Sequence, residues 1–299
     1  MMRLLILVLV IISSLCNAQQ VQLVVLGVAQ DAGFPQAGCS KTCCTGGSES
    51  ELVSCLAVVK DSNFVILDAT PDFKAQLKNI NEFVGNKKQK LPESILLTHA
   101  HIGHYTGLMQ LGREVMGTQK QVVYAMPRMQ SFLEMNGPWS QLVKLQNIEL
   151  KPLMNNKGID VLNGVEVVPI QVPHRDEFSE TVGFIINSGK KKAVFIPDID
   201  KWEKWEVNID SLIKVVDYAF IDGTFFSNGE LPGRDMSEIP HPFIEESMSR
   251  FQGMNTYEKK KIYFIHFNHT NPVMWDKKSQ KQVQNAGFNV AEQGMVIDL

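Results

Sequence analysis

The sequence predicts a mixed α/β fold, on three observations. Short apolar runs rich in Val, Ile and Leu alternate with helical spacing. These runs stop at glycine, proline or polar turn residues. A metal-type residue directly follows strand-like segments at His99, His174, Asp198, Asp222 and His266. Strand ends gathered along one sheet edge would focus such residues on one site. The 299 residues, 44% hydrophobic and 20% charged, describe an ordinary globular chain. A chain this long can bury a core without disulfides.

Met1-Met2-Arg3, the apolar run Leu4 to Ile12 and the small residues through Ala18 have the pattern of a secretory signal peptide. The run is too short to span a membrane stably, and no other stretch is long or apolar enough. Cleavage after Ala18 leaves a single domain over residues 19–299 and a periplasmic or secreted location. An uncleaved anchor is the alternative. Acylation of Cys16 is disfavoured by Leu15, which stands where a small residue is expected.

Val21 to Gly27 reads as a buried strand, followed by a turn at Gln30 to Gln36. Leu52 to Lys60 and Asn63 to Asp68 read as a hairpin closed by Asp61-Ser62. Asp72 to Phe83 carries helical spacing. Ser94 to Thr98 is a short strand that delivers a histidine cluster, and Thr106 to Met116 reads as a helix. Further strands are expected at Gln121 to Ala125, Val161 to Val172, Thr181 to Asn187, Lys192 to Ile196, Tyr218 to Asp222, Lys261 to Ile265 and Glu292 to Asp298.

The net charge of −3 carries no basic surplus that would argue for nucleic acid. The expected partner is a small-molecule or peptide substrate. The chain has seven histidines: His99, His101, His104, His174, His241, His266 and His269. Three of them fall within six positions. Imidazole is the commonest metal ligand near neutral pH, being largely neutral with a free lone pair. His99-Ala100-His101 presents two rings from one loop, and a distant histidine such as His174 can complete a facial set.

Thr98-His99-Ala100-His101-Ile102-Gly103-His104 resembles the HxHxDH signature of the metallo-β-lactamase superfamily. His174, Asp198 and His266 match its later stations, and Asp68 matches an early structural aspartate. Within that superfamily the chain is similar to the pyrroloquinoline quinone biosynthesis protein B (PqqB) family. The likeness runs through Leu26 to Gln36, Asp68 to Asp72, His174-Arg175-Asp176, Thr181 to Phe184 and Asn268 to Pro272. It implies a metallo-β-lactamase-type αββα sandwich, two mixed β-sheets flanked by helices. It also implies one metal position at His99, His101 and His174 and another at His104 and His266, with Asp198 between them. The expected cofactor is Zn2+, one or two ions, with Fe or Mn as alternatives.

Gly103 stands where the motif has aspartate. Three readings follow: a single metal, a carboxylate from elsewhere (Asp31, Asp200 or Asp222), or a chemistry other than hydrolysis. The PqqB family has an eroded histidine cluster and is linked to iron-dependent hydroxylation. The intact cluster here is more like the hydrolytic branch.

Cys39, Cys43, Cys44 and Cys55 remain after the expected cleavage. Cys43 and Cys44 are adjacent, a poor geometry for a mutual disulfide. The loop resembles a structural zinc site of PqqB and related phosphodiesterases, which implies Cys39, Cys43, Cys44 and His269 as ligands. A disulfide stays open as the competing reading. Cys55 reads as a small core residue. His241 resembles a proton-donating histidine of the tRNA-processing RNase Z enzymes, which gives it, with Asp198 and Asp222, a catalytic expectation. Trp202 and Trp205 read as packing residues. The expected activity is hydrolysis of an ester, phosphodiester, amide or lactone. An iron-dependent oxygenase and a non-catalytic metal-binding protein are the alternatives.

Overall fold

A computed structural model describes residues 20–46 and 49–299. The signal peptide expected over residues 1–18 lies outside the described residues. The strands are β1 (Val21–Gly27), β2 (Cys55–Lys60), β3 (Asn63–Leu67), β4 (Ile95–Leu96), β5 (Gln121–Ala125), β6 (Ile148–Pro152), β7 (Ile159–Leu162), β8 (Val165–Gln171), β9 (Val182–Asn187), β10 (Lys192–Ile196), β11 (Tyr218–Asp222), β12 (Ile262–Ile265), β13 (Asn289–Val290) and β14 (Val296–Asp298). The helices are α1 (Thr42–Thr45), α2 (Phe73–Phe83), α3 (Ile102–Tyr105), α4 (Pro127–Met135), α5 (Trp139–Lys144), α6 (Ile209–Val215), α7 (Ile244–Arg250), α8 (Thr256–Lys259) and α9 (Lys277–Asn285).

These strands form two seven-stranded sheets, ordered β14-β1-β2-β3-β4-β5-β6 and β13-β12-β11-β10-β9-β8-β7. Each sheet is mixed. β14, β1, β2 and β3 pair antiparallel, while β3 to β6 run parallel. β7 to β10 pair antiparallel, while β10 to β13 run parallel.

Period-two alternation explains the layering. On β1 to β3, Leu23, Val25, Leu56, Val58, Val65 and Leu67 join the core shared with Val167, Phe184 and Phe195 of the second sheet. The alternate residues Val24, Leu26, Ala57, Val59, Phe64 and Ile66 pack outward with Phe73, Leu77 and Ile80 of α2. That i, i+4, i+7 stripe makes α2 amphipathic, and each such buried side chain contributes roughly 2 kcal/mol. Ile209 and Ile213 of α6, with Ile244 of α7, belong to the core of the second sheet. Two mixed sheets with helices outside give the αββα sandwich.

The strands expected over Leu52 to Lys60 and Glu292 to Asp298 start later, at Cys55 and Val296, and two further expected elements differ in kind. Val161 to Val172 is not one strand: β7 and β8 are joined at Asn163-Gly164, where Gly164 has φ +72°. Asn-Gly is a hairpin signal, since both residues tolerate the left-handed region. Thr106 to Met116 is not one α-helix: after α3 the chain tightens into a 3-10 turn over Thr106–Leu111. Here tertiary contact overrides spacing. Gly107 donates its N–H to the Ala69 carbonyl at 2.9 Å, and a Cβ on it would stand 2.1 Å from the Thr70 carbonyl oxygen.

Parallel pairing positions the site. β10, β11 and β12 run the same way, so Asp198, Asp222 and His266 leave their C-terminal ends on one edge. β3 and β4 deliver Asp68 and the His99 loop in the same manner. Among the described residues, no helix is long and apolar enough to cross a membrane.

Candidate metal centre

Asp198 is the hub. Its Oδ2 lies 3.3 Å from His99 Nε2, 3.8 Å from His101 Nδ1 and 3.2 Å from His174 Nε2. His99 Nε2 and His101 Nδ1 face each other at 2.9 Å. One ligand atom from each of these four residues lies within 4.8 Å of all the others. His104 and His266 stand beside this group, their rings stacked at 5.3 Å. Asp31 Oδ1 is 3.8 Å from His104 Nε2.

The outward nitrogen of each ring has a fixed partner. His104 Nδ1 donates to Asp68 Oδ2 at 2.8 Å. Asp68 is fully buried and also accepts from the Thr98 backbone N–H at 2.7 Å. His174 Nδ1 faces Asp200 Oδ1 at 3.2 Å, and His101 Nε2 faces Glu177 Oε2 at 3.2 Å. His266 Nδ1 meets Thr224 Oγ1 at 2.9 Å, and that hydroxyl donates to Asp222 Oδ1 at 2.7 Å. Such partners orient an imidazole and decide which nitrogen keeps its lone pair. Asp68 (φ +72°) and His266 (φ +69°) both hold left-handed backbone, costly for residues with side chains.

The inward atoms are the unsatisfied ones. His104 Nε2, His174 Nε2, His266 Nε2, Asp198 Oδ1 and Asp31 Oδ1 are buried without a hydrogen-bond partner. An unpaired buried polar atom costs about 1–3 kcal/mol. They fall in two groups, one on His174 and Asp198 and the other on Asp31, His104 and His266, and each group has the donor types that suit a divalent cation.

Protonation follows the same geometry. Burial, then the neighbouring His104 charge, holds His99 well below the usual imidazole range. Burial likewise lowers His266. Both rings keep a lone pair for a metal. Burial opposes charge on His174, but Asp198 and Asp200 override it and push it up to about 9. Burial also opposes charge on Asp198, yet His174 and His241 hold its carboxyl well below the ordinary range.

His241, Asp198 and Asp222 form a third buried set. His241 Nδ1 lies 2.8 Å from Asp222 Oδ2 and 3.1 Å from Asp198 Oδ1. Only the Asp222 contact has hydrogen-bond geometry, since Asp198 Oδ1 stays unsatisfied. Against the effect of burial, the Asp222 and Asp198 carboxylates push His241 up to about 10. Asp222 spends its oxygens on the Ile199 and Thr224 backbone N–H groups as well. It therefore positions His241 and Thr224 beside the Asp198 hub.

The cysteine loop makes a separate cluster. Cys39, Cys43, Cys44 and His269 offer ligand atoms within 4.8 Å of one another. Cys44 Sγ is 3.3 Å and Cys43 Sγ 3.7 Å from His269 Nδ1. The Cys43 and Cys44 sulfurs are 3.9 Å apart, and all four described cysteines are free thiols. Burial and the two neighbouring thiols push Cys43 up to about 11. Cys55 is buried in β2, and Trp202 and Trp205 pack with their ring N–H groups on Ser247 Oγ and the Gln171 carbonyl.

The structure thus brings together all twelve sequence-chosen positions: eight histidine and aspartate positions around Asp198 and His104, His241 and Asp222 among them, and the four of the cysteine loop. Of the further contacts, Glu177 on His101 was not expected from the sequence, while Asp31 beside His104 and Asp200 on His174 are two of the three carboxylates offered as replacements for the motif aspartate. Asp200 and Glu177 follow metal-type residues closely in sequence, which is a usable signal. Asp31 lies in a glycine turn, where aspartate is common for local reasons.

Residues 63–267 match the family described as the beta-lactamase superfamily domain. The chain is 27% identical to coenzyme PQQ synthesis protein B of Gluconobacter oxydans, covering 93% of this chain and 99% of that protein. It is 26% identical to the protein of that name from Rhizobium meliloti, covering 95% and 99%. Its fold resembles Zn(2+)-bound PqqB from Methylobacterium extorquens (TM-score 0.77, 22% identity, 93% of this chain and 100% of that one). It also resembles a diphosphatase from the PhnP family (TM-score 0.66, 22% identity, 94% and 97%). With more than half its length matched, and with the two-sheet sandwich and its clustered histidines and aspartates in place, the chain belongs to the metallo-β-lactamase superfamily and is PqqB-like within it.

Proposed function

We propose that the protein is a metal-dependent hydrolase acting on an ester, phosphodiester, amide or lactone. The observation that carries this reading is the convergence of ligand atoms from His99, His101, His174 and Asp198, with His174 Nε2 and Asp198 Oδ1 buried and unsatisfied. A divalent metal held there would supply an acidified water, with its pKa lowered to ~7, and an electrophile for the developing oxyanion. Asp198 orients the imidazoles around one carboxylate oxygen. Asp200 and Glu177 fix the rings of His174 and His101. His241, kept protonated by Asp222 and Asp198, is placed to give a proton to a leaving group. The proposed cofactor is Zn2+, with Fe or Mn as alternatives, and the cysteine cluster is proposed to hold a structural Zn2+. The match to the beta-lactamase superfamily domain and the likeness of the fold to the PhnP-family diphosphatase support this reading.

The test is a turnover screen with zinc-, manganese- and iron-loaded protein on chromogenic phosphodiester, carboxylester, lactone and anilide probes. Hydrolysis that falls roughly 10³-fold or more in His99→Ala/His101→Ala is the expected result. Absence of hydrolysis in every loaded form would contradict it. A second reading, an iron-dependent oxygenase, is favoured by one feature: His104, His266 and Asp31 offer two imidazoles and a carboxylate. Oxygen consumption by anaerobically iron-loaded protein, without hydrolysis, would select it. The proposal includes export, resting on the pattern of residues 1–18. N-terminal sequencing of protein from the native host should then begin at Gln19, and an intact Met1 would contradict it.

A further inference from the structure

We propose that Asp31 supplies the carboxylate of a second metal position with His104 and His266, and that Gly103 is glycine because Asp31 occupies the space its side chain would need. This rests on the metal-dependent reading above and deepens it.

Three observations carry it. First, ligand atoms of Asp31, His104 and His266 lie within 4.8 Å of one another. Asp31 Oδ1, His104 Nε2 and His266 Nε2 are all buried and unsatisfied. Asp68 and Thr224 hold the opposite ring nitrogens. The three free atoms thus have no use within the chain, and two nitrogens with one carboxylate oxygen suit a divalent ion.

Second, an ideal Cβ on Gly103 would stand 2.2 Å from Asp31 Oδ1 and 2.6 Å from Asp31 Cα. No side chain fits there while Asp31 holds this position. A motif aspartate at 103 and a carboxylate from Asp31 are therefore mutually exclusive. The departure at Gly103 is a clearance for a donor arriving from another loop.

Third, that loop is tied to the strand end bearing His266. Gln30 N–H donates to the Phe267 carbonyl at 2.7 Å, and Phe267 N–H donates to the Val28 carbonyl at 2.8 Å. Asn268 Nδ2 donates to Gln30 Oε1 at 2.6 Å. Gly33, at φ +68°, closes the turn with its N–H on the Gln30 carbonyl. Asp31 and His266 are thus carried by one hydrogen-bonded unit, which fixes their spacing.

The experiment is cobalt(II) titration of the full chain, followed by calorimetry and by visible absorption. Thiolate-to-cobalt charge transfer reports the cysteine loop, and the d–d bands report the histidine clusters. Wild type should take two equivalents in the histidine clusters. Asp31→Asn and Asp31→Ala should each lose one while keeping the other. Gly103→Ala should lose the same one, since its methyl displaces the carboxylate. Far-ultraviolet circular dichroism checks that each variant is folded, and Asp31→Asn preserves the side-chain shape. Wild-type stoichiometry and affinity in Asp31→Asn or in Gly103→Ala would overturn the inference, as would one equivalent in wild type. Loss of all d–d signal in wild type would instead overturn the underlying metal reading, which His99→Ala/His101→Ala tests separately.

Discussion

The histidine–aspartate cluster and the cysteine cluster each gather ligand atoms within 4.8 Å, but by different physics. The first is built on the buried residues His99, His104, Asp198 and His266, with His101 and His174 half-buried, and its residues leave strand ends of both sheets. Each outward nitrogen is held by a carboxylate or hydroxyl, as in His104–Asp68, His174–Asp200 and His266–Thr224. The second is half-buried, on the one-turn helix α1 and its approach, with His269 reaching it from beyond β12. Its noted support is the Gln36 N–H on Cys44 Sγ at 3.4 Å. The sandwich pre-organises the first cluster. The second gathers thiols that resist joint ionisation, as Cys43 shows, and so gains most from a cation. The difference implies that catalysis depends on the first and local stability on the second.

The largest effect that would sharpen this contrast, beyond loss of the His99 and His101 ligands, is at His241. His241→Gln should lower turnover about 10²-fold or more while leaving metal content unchanged. With His241 pushed up to about 10, the proton is present across neutral pH. Turnover should therefore fall as pH rises through about 10, and the variant should lack that limb. A profile identical in both proteins would remove His241 from the mechanism.

A smaller effect is expected one contact outward. Asp200→Asn should weaken metal binding at the first position by about 10–100-fold, measured by competition with a chelator. Thr224→Val should act similarly on His266, where the hydroxyl bridges to Asp222. Unchanged affinity in both would mean that these contacts do not orient the rings.

The smallest effect on turnover belongs to the cysteine loop. Cys43→Ser/Cys44→Ser should change turnover by less than about threefold, because the folded sandwich holds the catalytic residues independently. Its thermal midpoint should lose the zinc dependence of the wild type, worth ~3 kcal/mol when zinc is at a hundredfold of its Kd. Loss of turnover with the fold retained would break the division between the two regions.

Much of this division was legible in the sequence. His99, His101 and His104 are neighbours on one loop, and β1, β5 and β11 match their expected spans because their apolar runs are dense. The distant partners were legible because each follows a strand. What was not legible depended on tertiary contact. α9 buries Val283 alone, so no helical stripe marked it, and α4 shows only Met129 and Leu133 as buried. Leu108 and Leu111 fit an α-helix or a 3-10 turn equally until Gly107 meets residues 69–70. Asp31 was legible only as one of three candidate carboxylates for the place left by Gly103. A glycine-rich turn accounts for an aspartate locally, and only the fold sets it against Gly103.

The most direct test of the central claim is metal-edge anomalous diffraction from crystals of protein purified without added metal. The account predicts an anomalous peak within coordination distance of His99, His101, His174 and Asp198. A crystal whose only peak lies at Cys39, Cys43, Cys44 and His269 would contradict it.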